Sequence, residues 1–266
     1  MLFATDGIVT KVSDANGSDK FLNIITPNRG RIGVLVKGSR SPESKTASLS
    51  QLFTYGNFEI YEKNGMYWLR GGMVINPFYN LSEDIVRIAA ATYMCELANE
   101  LTDESDECED ILRLLLNSLY LLGRGDKKIP LIKTVFEMRA MALSGYTPDV
   151  SACRYCHEMI ADEMYLDILG GRIMCAECFN DRGAQMKKIK NDFDDIREAS
   201  VICRMTSSVA VALKFILGSP SEKIFSFDIK DEDELAMLSK LSETYVTSHL
   251  GRSFDSLEFY NAVKNC

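Results

Sequence analysis

Two Cys-x-x-Cys pairs, Cys153/Cys156 and Cys175/Cys178, constrain this chain more tightly than any other feature, with 18 residues between them. That interval lies in the range that reads as a four-thiolate zinc site. Two residues between cysteines let a tight turn aim both sulfurs at one point, and four thiolates at about 2.3 Å complete the tetrahedron that zinc prefers. A closed shell of this kind leaves no position for substrate, so one structural Zn2+ ion is expected. The competing reading is a set of core thiols or a redox pair. Between the pairs, Met164 to Ile173 alternates in the manner of a hairpin with Gly170-Gly171 as its turn, which would bring the two knuckles together. His157 follows Cys156 directly and points the wrong way to share its knuckle, so it is expected outside the ligand set. Cys95, Cys108, Cys203 and Cys266 stand apart, the first two on apolar helix faces suited to packing.

The rest of the composition limits where such a site can be. With 266 residues the chain is long enough for two or three modules. The N-terminus lacks the basic segment and apolar run of a secretion signal. The best apolar stretch, Ile111 to Leu122, is interrupted by Arg113 and Asn117 and reads as a buried helix. A cytoplasmic, reducing location is therefore expected, where paired cysteines more often hold metal than form disulfides.

Charge divides the chain. Residues 1–80 carry nine Lys/Arg against six Asp/Glu, a net of +3, whereas the whole chain is at -8, so the remainder is at -11. Within the basic part, Lys20, Arg29, Arg31, Lys37, Arg40 and Lys45 are opposed only by Glu43. The hydroxyl-rich loop Val36 to Lys45 suits phosphate contacts without base readout. Phe21, Phe53, Tyr55, Phe58, Tyr61, Tyr67 and Trp68 share the module, most expected in the core and some free to stack bases.

Periodicity supplies the architecture. Five short β-type runs, at Gly7–Thr10, Phe21–Ile25, Arg31–Val36, Phe58–Tyr61 and Tyr67–Arg70, are separated by Asn16-Gly17, Asn28-Arg29-Gly30 and Asn64-Gly65 turns. Five strands without a long helix predict a small closed barrel of the OB type, with an SH3-like barrel as the alternative. After Asn76-Pro77 the period becomes helical, with Ser82 as the expected N-cap. Three helices precede the cysteines. Further helices are expected over about 183–197, 205–217, 231–249 and 254–263. The fold class expected is α+β: an OB-fold domain at 1–78, one helical domain from 79–150 and 180–266, and a zinc-finger insertion at 151–179.

No catalytic constellation emerges. Two histidines support neither Ser/His/Asp nor Cys/His chemistry, and Gly71-Gly72 lacks the Lys-Ser/Thr ending of a P-loop. A nucleobase deaminase would need His-x-Glu before Pro-Cys-x-x-Cys, whereas His157 and Glu158 are adjacent and Met174 replaces the proline.

The order of parts resembles the RecO family of bacterial recombination mediators and DNA-repair proteins. The likeness is carried by Val36-Lys37-Gly38-Ser39-Arg40, Tyr93-Met94-Cys95-Glu96-Leu97 and Leu114-Leu115-Leu116. Val135-Phe136-Glu137-Met138-Arg139 and Gly145-Tyr146-Thr147-Pro148 then lead into the first Cys-x-x-Cys, and His249-Leu250-Gly251-Arg252-Ser253 lies near the end. This resemblance implies a nonenzymatic, nucleoid-associated protein that binds single- and double-stranded DNA and anneals complementary strands. It further implies RecR and the C-terminal tail of single-stranded DNA-binding protein as partners, RecF in many members, and RecA loading in the RecFOR pathway. Lys37 and Arg40 match the family's basic motif, whereas Arg29, Arg31, Lys45 and Lys20 join them by charge and position only. A zinc-containing transcriptional or scaffolding module without annealing activity is the competing expectation.

Overall fold

Alternating apolar and polar residues build five strands at the front of the chain: β1 (Leu2–Asp14), β2 (Lys20–Thr26), β3 (Gly30–Val36), β4 (Tyr55–Lys63) and β5 (Met66–Asn76). In the computed structural model, which describes residues 1–15, 17–39, 46–104, 107–181 and 201–264, these strands close into a barrel of order β1-β2-β3-β5-β4. The expected OB-type barrel is present. Antiparallel pairing joins every neighbour except β3 and β5, which run parallel at Val34↔Tyr67 and Leu35↔Trp68. Inward-facing Val9, Leu22, Ile24, Ile32, Val34, Val36, Phe58, Ile60 and Leu69 fill the interior, plugged by Leu49 from the 3-10 turn Ser48–Ser50. Burying each of the larger side chains contributes roughly 1.5–3 kcal/mol. Strand β5 passes so close to β4 that a Cβ at Gly72 (φ +145°) would sit 2.1 Å from the Asn57 carbonyl oxygen, a place open only to glycine.

Helices follow at α1 (Ile85–Glu100), α2 (Glu109–Arg124), α3 (Ile129–Leu143), α4 (Ser207–Gly218), α5 (Glu232–Leu250) and α6 (Asp255–Val263). Asp84, not the expected Ser82, caps α1, accepting from the N–H groups of Val86 and Arg87. Ser82 is instead consumed by the 3-10 turn Tyr79–Glu83. The expected helix over 183–197 lies outside the described residues.

The chain divides into two compact units, Met1–Ile129 with Phe254–Cys266, and Pro130–Ser253. This grouping differs from a single domain holding all the helices. In the first unit, Ile8 and Ile25 pair across β1 and β2 on the outer side of the barrel, yet neither is exposed. Helices α1 and α2 pack on these two strands and keep that apolar surface from water. The chain end returns to the same unit: the Phe254 ring meets Tyr93 edge-on at 5.8 Å, and the Ser256 hydroxyl donates to the Glu96 carboxylate.

In the second unit, α3, α4 and α5 accompany a three-stranded sheet of order β7-β6-β8, with β6 at Glu163–Asp167, β7 at Arg172–Cys175 and β8 at Ile202–Thr206. Met205, expected inside a helix, pairs with Met164 in β8. The helix starts only after Thr206, whose hydroxyl accepts from the Val209 N–H. At the other end of α4, Arg139 donates to the Leu217 carbonyl at 2.9 Å, satisfying one of the orphan acceptors of the last turn. The helix expected over about 231–249 is present as α5, capped by Asp231 and ended by Gly251 at φ +63°.

Candidate metal centre and nucleic-acid interface

The β6–β7 hairpin forms as the sequence suggests. Met164 pairs with Cys175 and Asp167 with Arg172, and the Gly170 N–H closes the turn on the Asp167 carboxylate at 2.9 Å. Cys175 therefore ends a strand, and Cys178 follows in the helical turn that begins at Ala176. The other knuckle is folded against this hairpin by a bond from the Arg154 N–H to the Ile173 carbonyl. Its own turn closes when the His157 N–H reaches the Cys153 carbonyl at 3.0 Å, with His157 at φ +63°. The result places the sulfurs of Cys153, Cys156, Cys175 and Cys178 within 4.8 Å of one another. Cys156 and Cys175 are 3.6 Å apart, close to the roughly 3.8 Å edge of a tetrahedron with 2.3 Å metal–sulfur bonds. The four cysteines thus form a cluster that can hold a metal ion, and His157 is not among the grouped donors.

The electrostatics of the cluster suit a cation. Burial works against ionising Cys153, but bonds from the N–H groups of Cys156, Cys175 and Tyr155 outweigh it and hold this thiol at about 6. Hydrogen bonding among the neighbouring thiols, Cys175 foremost, pushes Cys178 up to about 12. Cys153 is thus favoured as a thiolate, whereas Cys175, raised by burial, and Cys178 give up their protons only to a stronger partner such as a metal. Lys214 of α4 supports the first knuckle, donating to the carbonyls of Ser151, at 2.9 Å, and Met159. Tyr165 of β6 stacks at 4.1 Å on Phe179, which directly follows Cys178.

The six cations singled out in the barrel have different surroundings. Arg31 donates through Nε to the Thr102 carbonyl at 3.0 Å and lies 3.8 Å from Asp103, tying the barrel to the segment after α1. Arg29 sits 3.9 Å over the Phe3 ring and 3.6 Å from Glu62. By contrast Lys37 is exposed immediately beyond β3, and Lys20 is half-exposed at the start of β2. Neither is engaged by an ion pair among the described residues. The Asp19 carboxylate accepts from the Gly38 N–H at 2.8 Å, and Gly38 takes φ +61°, which turns the chain away just after Lys37. Arg40 and Lys45 lie outside the described residues. Sequence reasoning did not anticipate the internal partners of Arg31, since a charge count cannot see a carbonyl 71 positions away.

A family model described as Recombination protein O N terminal matches residues 1–78, and one described as Recombination protein O C terminal matches residues 82–189. A DNA repair protein RecO of Acetivibrio thermocellus is 31% identical over 260 residues, 97% of this chain and 96% of the relative. The chain belongs to the RecO family. Other RecO proteins align as well: that of Symbiobacterium thermophilum is 29% identical over 82% of this chain and 90% of its own length. The Clostridium acetobutylicum RecO is 22% identical over 99% and 98%. The barrel and both cysteine knuckles therefore sit inside the RecO models, with the boundary between the two models falling in the Pro77–Leu81 connection. No helix among the described residues is long and apolar enough to cross a membrane.

Proposed function

We propose that this RecO-family chain is a nonenzymatic DNA-repair and recombination mediator. It binds single- and double-stranded DNA and anneals complementary strands. With RecR it loads RecA on DNA coated by single-stranded DNA-binding protein, whose C-terminal tail it binds. The reading is carried by the similarity to a protein named for DNA repair that runs through 97% of the chain. Physical support comes from the barrel, where Lys37 and Lys20 are solvent-accessible and unpaired among the described residues. Cations that have no internal partner can exchange counterions with phosphates at least cost. Lys37 and Lys20 therefore lead the interface, with Arg40 and Lys45 completing it. Arg29 and Arg31 contribute mainly through the field of the module, since both already hold internal contacts.

Zinc is assigned to the four-cysteine cluster in a structural role. Four sulfurs use every position of the tetrahedron, so the ion adds folding free energy and offers no open site. Strand annealing is the deciding assay: purified protein should speed pairing of complementary strands coated with single-stranded DNA-binding protein. No acceleration, with normal binding to either strand, would refute the mediator reading and leave a DNA-binding scaffold.

A further inference from the structure

The outer face of the barrel carries a row of apolar side chains that its interior does not need. Register sets the row. Leu2 pairs with Tyr61, Tyr61 with Trp68, Trp68 with Leu35, and Leu35 with Phe21. Directly paired residues project to the same side of a sheet, and their neighbours Phe3, Ile60, Leu69, Val34 and Leu22 are the ones packed on the core. The row therefore points outward across all five strands. It is not covered as Ile8 and Ile25 are: Leu2 is 64% and Phe21 40% exposed, and Tyr61, Trp68 and Leu35 are half-buried.

Its rings are arranged for contact from above. Tyr61 and Trp68 lie 6.1 Å apart, tilted by 40°, and the Arg70 guanidinium stands 5.0 Å over Tyr61. The tip of the Phe21 ring reaches over Gly33, where an added Cβ would be 2.5 Å from it, so the missing side chain makes room for the aromatic on this face. Exposed Lys37 follows Leu35 by two residues, and exposed Lys63 follows Tyr61 by two. Aromatic faces bordered by cations match one ligand chemistry above others: unpaired bases stacked on rings, with their phosphates on the neighbouring charges. A duplex hides its base faces and can use only the charges.

We infer that Phe21, Trp68 and Tyr61, with Arg70, form a stacking platform that gives the barrel a preference for single-stranded over double-stranded nucleic acid. This rests on the reading of the barrel as a DNA-binding module and adds the element that distinguishes a strand from a duplex.

Trp68 is the only tryptophan in the chain, so its fluorescence reports on the platform directly. With full-length protein, oligothymidylate should quench Trp68, whereas an abasic strand of equal length and a duplex should bind with little quenching. Phe21→Ala and Tyr61→Ala should each weaken oligothymidylate binding by about tenfold, leave duplex affinity unchanged, and keep the salt slope of the parent, because that slope counts phosphate contacts. Thermal melting of both variants confirms that the barrel remains folded, and the quenching experiment on the unaltered protein stands without them. Equal quenching by the abasic strand, or equal loss of duplex and single-strand affinity in folded variants, overturns the platform while leaving the DNA-binding reading intact. Absence of binding to any of the three nucleic acids overturns both.

Discussion

Replacing Lys133 by Met tests the most heavily committed charge in the protein. Its ammonium lies 2.8 Å and 2.9 Å from the two carboxylate oxygens of Glu137 and 3.1 Å from Glu243. The side chains of Lys133 and Glu137 have no exposure, and Glu243 has 7%. Ser242 donates to Oε2 of Glu137 at 2.6 Å. Two acidic groups from α3 and α5 thus share one cation away from water. Methionine preserves most of the volume, so the loss is electrostatic: removing one partner of a buried pair costs about 3–5 kcal/mol. Burial already lifts the Glu137 carboxyl above its ordinary 4.5, against the opposing pull of Lys133 and Ser242. Without the ammonium it rises further. A carboxyl raised in the folded state binds its proton more tightly there, so its contribution to stability falls as pH climbs from 4.5 through the folded value. The deficit of Lys133→Met should therefore be largest near pH 7 and shrink toward pH 5. Urea unfolding followed by circular dichroism at both pH values reads this directly. Adding Glu137→Gln and Glu243→Gln should recover most of the loss. A deficit below about 1 kcal/mol at neutral pH, or one that does not change with pH, would show that the cluster is hydrated and the reasoning wrong.

Three other outcomes are expected. Cys175→Ser should lower bound metal and shift thermal unfolding of the Pro130–Ser253 unit downward, as measured by atomic emission and circular dichroism; a full metal equivalent in that variant would remove Cys175 from the site. Joint replacement of Lys37 and Arg40 by Ala should reduce the salt slope of DNA binding by about one to two units, and an unchanged slope would move the phosphate contacts elsewhere. Arg31→Ala should cost about 1 kcal/mol of stability through its bond to the Thr102 carbonyl, discounted for partial exposure, while changing that slope by less than one unit. A larger change in slope with no loss of stability would make Arg31 a phosphate contact instead.

The strands and the cysteine cluster were legible because each is written in local spacing. Period-two alternation identifies β2 and β3 whatever they pair with, and two residues between cysteines define a knuckle before the fold is known. Helix α5 announces itself through Asp231 at one end and Gly251 at the other. Strand β8 is different. Ile202–Thr206 runs straight into a good capping residue and a helical pattern, so Met205 reads equally well as the helix's first apolar contact; only pairing with β6 makes it a strand. Ser82 and Asp84 are both competent caps, and the choice between them depends on the 3-10 turn that precedes α1. The division of helices between units is likewise set by which surfaces each buries. The aromatic row shows the same limit: Phe21, Tyr61 and Trp68 are 7 to 47 positions apart in the chain and become one row only through the barrel's register.

That third strand has a consequence for anyone wishing to trim the protein. The cysteine segment resembles a detachable cassette, bounded by Ser151 and Phe179, yet every residue of its central strand pairs with a partner from beyond residue 200. Excising the cassette would strip β8 of its only neighbour among the described residues and leave an open edge ready to pair with another molecule. A variant that gives up the four cysteines loses the metal ligands, whereas one that discards the hairpin also discards the strand on which β8 is built.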